Sequence, residues 1–147
     1  MLQEMTRRKE LHRWASVVAL VLFLLLVGCG AYVRLGTTII GDFVSPDGRW
    51  DAVLIVRNGG AMTGYATAIS IVSRGNPAAR QIGLFRPNLF VADDNDGAVR
   101  WGDRGQIDVK VSWASSAQLV VTYPEKARIC RQDPSFRSVS VRYVTTN

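Results

Sequence analysis

The residues with the greatest chemical potential form an acidic stretch, Asp93-Asp94-Asn95-Asp96-Gly97. When its glycine is aligned with the invariant glycine of a calcium loop, Asp94, Asp96 and Asp103 fall on ligand positions. Ala92 then occupies the first position, where such a loop needs a carboxylate. Asx-rich segments also turn without a metal. The sequence therefore predicts a turn here, with no metal site and no cofactor.

Paired carboxylates are a second possibility, because glycoside hydrolysis uses two of them around the scissile bond. Nothing in the sequence sets the separation between any two carboxylates, and surface carboxylates are usually only solvated. A carboxylate-dependent hydrolase is therefore an alternative to which no catalytic residue is assigned. The aspartates available to it are Asp47, Asp51, Asp93, Asp94 and Asp96.

Histidine chemistry is confined to the N-terminal region, because the only histidine is His12. This excludes Ser-His-Asp and Cys-His catalysis, and histidine-ligated zinc, from the rest of the chain. No glycine-rich phosphate loop follows a strand, and no cofactor fingerprint is present. The sequence thus favours a protein that acts by contact and is not an enzyme.

A polar, glycine-rich stretch at 93–105 carries both an aromatic and a basic side chain. Loops between strands lie at the surface and often carry binding residues. We predict that 93–105 is a contact loop and that Trp101 is an exposed aromatic, whereas Trp113 fits an inward-facing pattern. The candidate contact residues are Asp94, Asp96, Trp101 and Arg104.

An uncharged segment near the N terminus predicts a membrane tether. Positive charges precede an apolar run from Ala15 to Val27, which is the layout of a secretory signal. The run ends in Leu26-Val27-Gly28-Cys29, which resembles the lipobox of bacterial lipoproteins. This resemblance implies that Cys29 carries the lipid and becomes the first residue of the mature chain.

An uncleaved anchor is the competing interpretation, because Trp14 to Val33 is 20 uncharged residues between two arginines. That length spans the hydrocarbon layer as a helix. On either interpretation the residues after about 34 lie outside the cytoplasm. We therefore expect a bacterial envelope protein with an anchor at 1–33 and an extracytoplasmic domain at 34–147.

The predicted domain is β-rich, since alternation and β-branched residues dominate beyond the anchor. About eight short strands predict a small antiparallel β-sandwich or barrel, preceded by one N-terminal hydrophobic (signal or transmembrane) helix. Ala52–Val56 is apolar on both faces and predicts a central strand covered on both sides. Alternation at 106–113 and 118–123 predicts a hairpin. Residues 74–88 are expected to form a loop, with a short strand at Gln81–Phe85.

Cys130 is the only cysteine besides Cys29. It has no partner within the chain if Cys29 is lipidated. Free cysteines are often buried, so we predict that Cys130 is a buried residue on a strand. A disulfide between the two remains open only if the anchor is uncleaved, and an intermolecular bridge is the other option.

Three segments resemble a group of uncharacterised bacterial membrane-anchored or lipoprotein-like proteins. They are the early turn Ser45-Pro46-Asp47-Gly48, the segment Gly60-Ala61-Met62-Thr63-Gly64-Tyr65, and the later strand Asn88-Leu89-Phe90-Val91-Ala92-Asp93. The likeness covers roughly residues 42 to 144. It implies a membrane-anchored β-domain and no particular activity.

A net charge of +6 would suit an anionic lipid, glycan or nucleic acid, but scattered and solvated surface charges are the preferred interpretation. No basic cluster with interleaved aromatics appears, so nucleic acid is not expected. The leading hypothesis is a non-catalytic envelope protein, held at the membrane by its N terminus, whose β-domain binds another envelope protein or a surface glycan. A periplasmic inhibitor or immunity protein is the alternative. A basic domain is, however, a poor match for the basic lytic enzymes that such proteins block.

Overall fold

The computed structural model describes residues 14, 16–25, 27, 36–59 and 64–147. The chain divides into two compact units, Met1–Leu35 and Gly36–Asn147. Residues 14, 16–25 and 27 of the first unit are helical and form α1, with exposed side chains. Across the described residues, no helix combines the length and hydropathy needed to cross a membrane. Cys29, the end of the predicted anchor and residues 60–63 of the family-like segment lie outside the described residues.

The second unit contains two β-sheets, which confirms a mainly β fold. The first sheet has the order β1-β2-β3-β4-β7 and the second the order β5-β6-β9-β8, and neither closes into a barrel in the described residues. The first sheet comprises β1 (Thr37–Val44), β2 (Trp50–Asn58), β3 (Tyr65–Ser73), β4 (Phe90–Asp93) and β7 (Arg128–Gln132). The second comprises β5 (Lys110–Ser115), β6 (Gln118–Pro124), β8 (Ser135–Phe136) and β9 (Val139–Thr146), and helix α2 (Pro77–Phe85) lies between β3 and β4.

One strand pair corrects the expectation of a purely antiparallel fold. β6 and β9 pair in parallel, with Leu119 opposite Val141 and Val121 opposite Tyr143. Between them the chain leaves for the first sheet as β7 and returns as β8, so β9 enters in the same direction as β6. Parallel neighbours require such a crossover connection. The β5–β6 pair is antiparallel, as the predicted hairpin requires.

The apolar core lies between the two sheets and takes side chains from both. Ala52 and Leu54 of β2 point into this core, and Val53 and Ile55 belong to a second apolar cluster. The second cluster is packed by Leu84 of α2. Since successive strand residues face opposite sides, β2 is covered on both faces and lies between β1 and β3. The prediction of a doubly covered central strand is confirmed.

Helix α2 overturns the predicted loop with a short strand at Gln81–Phe85. Asn76 caps the helix, because its Oδ1 accepts the Ala79 N–H at 3.0 Å, and Pro77 occupies the first turn, where its missing N–H costs nothing. An Asn-Pro pair also occurs in turns, whereas here it starts a helix. Gly83 then lets α2 approach β3 closely, and its carbonyl accepts the Ser70 hydroxyl at 2.7 Å.

Cys130 also departs from expectation. It is a free thiol with an exposed side chain on β7. β7 is the edge strand of the first sheet. Ile129 packs on the core, and because successive strand residues face opposite sides, Cys130 points away from the core.

Candidate binding surfaces

The acidic stretch folds into a tight turn whose carboxylates bond to the turn's own backbone. Asp93 Oδ1 accepts the N–H of Asn95 and Asp94 Oδ2 accepts the N–H of Gly97, each at 2.9 Å. The φ angles of Asn95, Asp96 and Gly97 are 52°, 56° and 88°, all in the left-handed region. Asn, Asp and Gly tolerate that region best, so the sequence matches the turn at each position.

Arg128 of β7 anchors this turn to the first sheet. Its guanidinium lies 2.9 Å from Asp93 Oδ2 and 3.2 Å from Asp96 Oδ2. The hydrogen bonds that Arg128 donates to Asp93, aided by the charges of both carboxylates, raise the pKa of Arg128. The Asn95 side chain adds a bond to the Lys126 carbonyl at 3.1 Å. No three acidic, cysteine or histidine side chains are grouped to hold a metal ion in the described part of the chain.

Trp101 is partly buried, although the sequence predicted an exposed aromatic. It packs on the core and meets the ring of Tyr65 edge-on, with 5.8 Å between centroids. Tyr65 is the more open member of this pair, with 44% of its surface exposed. Gly105, at a φ of +77°, permits the arrangement, because a Cβ there would lie 3.3 Å from the Tyr65 ring.

Backbone bonds fix the second half of the contact loop. The Gly102 N–H donates to the Gln106 carbonyl at 2.6 Å, and the Arg104 N–H donates to Gln106 Oε1 at 3.1 Å. Arg104 is exposed and extends from this fixed backbone. Neither Arg104 nor Arg100 forms an ion pair within the described residues. The loop thus presents two arginines without an ion pair, and one of them, Arg100, lines the same hollow as Trp101.

A surface hollow of about 310 Å³ adjoins this pair. Trp101 and Arg100 line it together with Gln106, Ile107 and Asp108. Of the four predicted contact residues, Trp101 borders the hollow and Arg104 lies three residues further along. Asp94 and Asp96 belong to the other end of the loop, where they serve the turn. Arg100 was not predicted as a contact residue, although its charge beside Trp101 was a visible signal.

A second surface escaped sequence analysis altogether. A cleft of about 380 Å³ separates α2 from the turn between β8 and β9. Trp50 and Phe136 line it and meet edge-on at 6.0 Å. The guanidinium carbon of Arg137 lies 5.7 Å from the Trp50 ring centroid and 5.6 Å from that of Phe136. Ile82 of α2 lies on the other side of the cleft with 64% of its surface exposed.

The remaining predicted carboxylates are engaged by neighbouring residues in different ways. Asp47 accepts the Ser45 hydroxyl at 2.7 Å and also bonds Arg49. These bonds, that from Ser45 foremost, lower the pKa of Asp47 to about 2. Asp51 is largely buried and lies 3.9 Å from the Arg74 Nε, and its Oδ1 has no hydrogen-bond donor among the described residues. Each of these two carboxylates thus lies near an arginine.

All of the contacts described for these sites are made between residues of this chain. Protein-family models, curated proteins and solved structures were each compared with this chain, and none of them matches it.

Proposed function

We propose that this chain is a non-catalytic envelope protein, tethered to a bacterial membrane by its N-terminal segment. Its extracytoplasmic β-sandwich domain binds another envelope protein or a surface polymer through the contact loop 93–105. The observation that carries this proposal is the pairing of a fixed loop backbone with unneutralised cations and an aromatic pair. A surface that is ordered before binding loses little conformational entropy on association.

The charge arrangement supports contact over hydrolysis. A general acid in a glycosidase needs a raised pKa so that it still holds its proton near neutral pH. Hydrogen bonds instead lower the pKa of Asp47 to about 2. Asp93 and Asp96 both pair with Arg128. Asp47 therefore lacks the surroundings of a proton donor.

Charge reversal on the loop tests the contact. The full chain is expressed in its membrane with Arg100→Glu, Arg104→Glu, or the control Arg142→Glu, which alters an exposed arginine on β9. After chemical crosslinking and purification, the two loop variants should recover roughly tenfold less partner than the parent, because fixed charge contacts at an interface commonly contribute 1–2 kcal/mol or more. The control should recover as much as the parent. Equal recovery from all chains would refute the loop assignment.

The tether is tested separately by mass spectrometry of the N-terminal peptide. A diacyl group on Cys29 identifies a lipoprotein, and an intact peptide running through Cys29 in the membrane fraction identifies an uncleaved anchor. Recovery of the unmodified chain from the soluble fraction alone would contradict both forms of the tether. The loop assignment would still be tested by the same charge reversals in the soluble chain, since it concerns only the contact loop 93–105.

A further inference from the structure

Helix α2 carries apolar residues on both of its faces. Its inner face holds Gly83, which lies against β3, and Leu84, which packs on the second apolar cluster. Its outer face holds Ala78, Ile82 and Phe85, which are all exposed to solvent. These three residues are spaced by four and three positions, so they form one stripe along the helix. A helix that is apolar on all sides is normally covered on all sides, and the described residues leave this outer stripe open.

The two large side chains of the outer stripe account for most of its open surface. Ile82 exposes 64% of its surface and Phe85 exposes 46%. No acidic residue occurs in α2, and its one charged side chain, Arg80, donates a hydrogen bond to Asp42 of β1 at 2.9 Å. Apolar side chains that adjoin one another on a surface mark an interaction site more often than isolated ones do. The outer stripe is therefore a candidate contact surface.

Arginines flank the outer stripe. Arg74 precedes α2, Arg86 follows it directly, and both are exposed. Arg137 is exposed as well and lies across the cleft from Ile82. Neither Arg86 nor Arg137 forms an ion pair in the described part of the chain, and Arg74 only approaches the largely buried Asp51 at 3.9 Å. The surface around the stripe is therefore positively charged and suits an anionic partner.

The small area of the outer stripe favours a lipid surface over a protein. Helix α2 has nine residues, so it is about 14 Å long and about 10 Å wide, and its outer face offers roughly 140 Å². A stable protein interface takes about 800 Å² from each partner. A bilayer needs far less, because a few apolar side chains inserted about 5–10 Å deep, with basic residues beside them, hold a helix at its surface.

A second copy of the chain fits this face poorly. In a symmetric dimer the same patch of each protomer meets its own copy. Facing α2 helices would therefore bring the two Arg86 side chains, and the two Arg74 side chains, toward one another. Helix α2 supplies no carboxylate to separate them, and like charges that face each other oppose association. An anionic bilayer attracts the same arginines.

We infer that the outer stripe of α2 lies on an anionic lipid surface. Ile82 and Phe85 insert among the headgroups and the upper acyl chains, and Arg74 and Arg86 lie against the lipid phosphates. Because Gly83 holds α2 close to β3, this insertion fixes which side of the first sheet faces the bilayer. The contact is separate from the contact loop 93–105, and it rests on the proposed tether only for its access to a membrane.

The test uses the full chain in phospholipid nanodiscs, with the δ1 methyl groups of its isoleucines labelled with ¹³C. Some discs contain phosphatidylcholine alone and others also contain phosphatidylglycerol, and each kind is prepared with and without a lipid that is spin-labelled on its acyl chain. The spin label should relax the Ile82 methyl, which an Ile82→Val variant identifies, more strongly in the anionic discs than in the neutral ones. The fully buried Ile107 is the internal reference. Relaxation of Ile82 that is no greater than that of Ile107, or that is equal in both kinds of disc, would overturn the proposal.

Two substitutions separate the apolar part of the contact from the charged part. Phe85→Ser removes an inserted ring, so the ratio of docked to free domain should fall roughly tenfold or more, and the relaxation of Ile82 should fall with it. Arg86→Gln removes one cation near the lipid, so the same ratio should fall roughly fivefold in the anionic discs. The matched controls are Val144→Ser and Arg142→Gln, which alter an exposed valine and an exposed arginine of β9.

Both controls should leave the relaxation of Ile82 unchanged, and the thermal midpoint of each variant checks its folding. Arg86→Gln alters an exposed side chain that follows the helix, so it keeps the test valid if Phe85→Ser lowers stability. Relaxation like that of the parent in both α2 variants would refute the assignment.

Failure of the tether is distinguishable from failure of the α2 contact. Co-elution of the chain with the discs reports on the tether alone, since neither Phe85→Ser nor Arg86→Gln alters residues 1–33. If the chain stays outside the discs, the tether proposal fails. The anionic discs are then added to the soluble chain, and the relaxation of Ile82 tests the outer stripe as before. An Ile82 methyl that is not relaxed by the lipid but shifts with chain concentration would assign this face to a second copy and overturn the lipid assignment.

Discussion

Replacing Gly83 by alanine tests how tightly α2 packs on the first sheet. A Cβ built at Gly83 lies 2.6 Å from Val72 Cγ1 and 3.3 Å from Ser70 Cβ. Ordinary contacts between carbon atoms are about 3.5–4.0 Å, so α2 and β3 must separate by about 1 Å. Val72 cannot easily turn aside, because a β-branched side chain on a strand has few rotamers. The hydrogen bond from the Ser70 hydroxyl to the Gly83 carbonyl would lengthen as well.

Two opposing effects set the magnitude. Overpacking of a close contact costs about 1–3 kcal/mol, and Gly→Ala in a helix interior contributes about 1 kcal/mol in the stabilising direction. We expect Gly83→Ala to lower the free energy of unfolding by about 1 kcal/mol, measured by urea denaturation. Gln81→Ala, at an exposed position of the same helix, is the control and should change stability by less than about 0.5 kcal/mol.

A double mutant tests whether the contact with Val72 causes the loss of stability in Gly83→Ala. Val72→Ala removes the atom that the new Cβ would meet, so in that background Gly83→Ala should be neutral or stabilising by up to about 1 kcal/mol. The coupling between the two substitutions would then be about 1 kcal/mol or more. A stabilising effect of Gly83→Ala in the parent chain would refute the tight contact and leave only helix propensity.

Two further predictions concern the turns. Ser45→Ala removes the main hydrogen bond that lowers the pKa of Asp47, so this pKa should rise from about 2 toward 3.8 in a carboxyl NMR titration. Because the native pKa is depressed, the stability that Asp47 contributes is present above about pH 4 and is lost as the pH falls toward 2. An unchanged pKa of Asp47 in the variant would contradict this account. Arg128→Gln should speed hydrogen exchange at the Gly97 amide. It should change the free energy of unfolding by less than about 1 kcal/mol, because the side chain of Arg128 is half exposed. Unchanged exchange at Gly97 would show that Arg128 does not hold the turn.

Local sequence patterns predicted the strands well and failed where distant segments decide the structure. The apolar run of β2 required a strand that is buried on both faces, and it has one. The parallel pairing of β6 with β9 depends instead on how the chain travels between the sheets, which no local window records. Helix α2 is an intermediate case. Its Asn-Pro start is a visible signal, but the same dipeptide also marks turns.

The contact loop also combines features that the local sequence predicts with features that depend on distant residues. Its acidic turn was predictable from Asp93 to Gly97 because each residue suits the conformation that it adopts. The burial of Trp101 was not, because its ring partner Tyr65 comes from β3, far away in sequence. Arg128, which holds the turn, also comes from another strand. Residue types and spacing therefore located the loop but could not say which of its side chains remain free.

Two turns differ in how well their residue types suit the backbone conformation, and this difference explains why the cleft beside α2 could not be predicted from the sequence. In Ser45-Pro46-Asp47-Gly48 the glycine takes a φ of +70° and every residue suits its position. In the turn at Arg137 the residue type opposes the backbone, because arginine rarely takes a φ of +52°. Such a conflict indicates a requirement elsewhere in the structure. It becomes visible only once Phe136 and Val139 are known to pair, because an arginine in an unassigned segment breaks no rule. The positive φ of Arg137 can therefore be recognised in the structure, but it could not be predicted from the sequence.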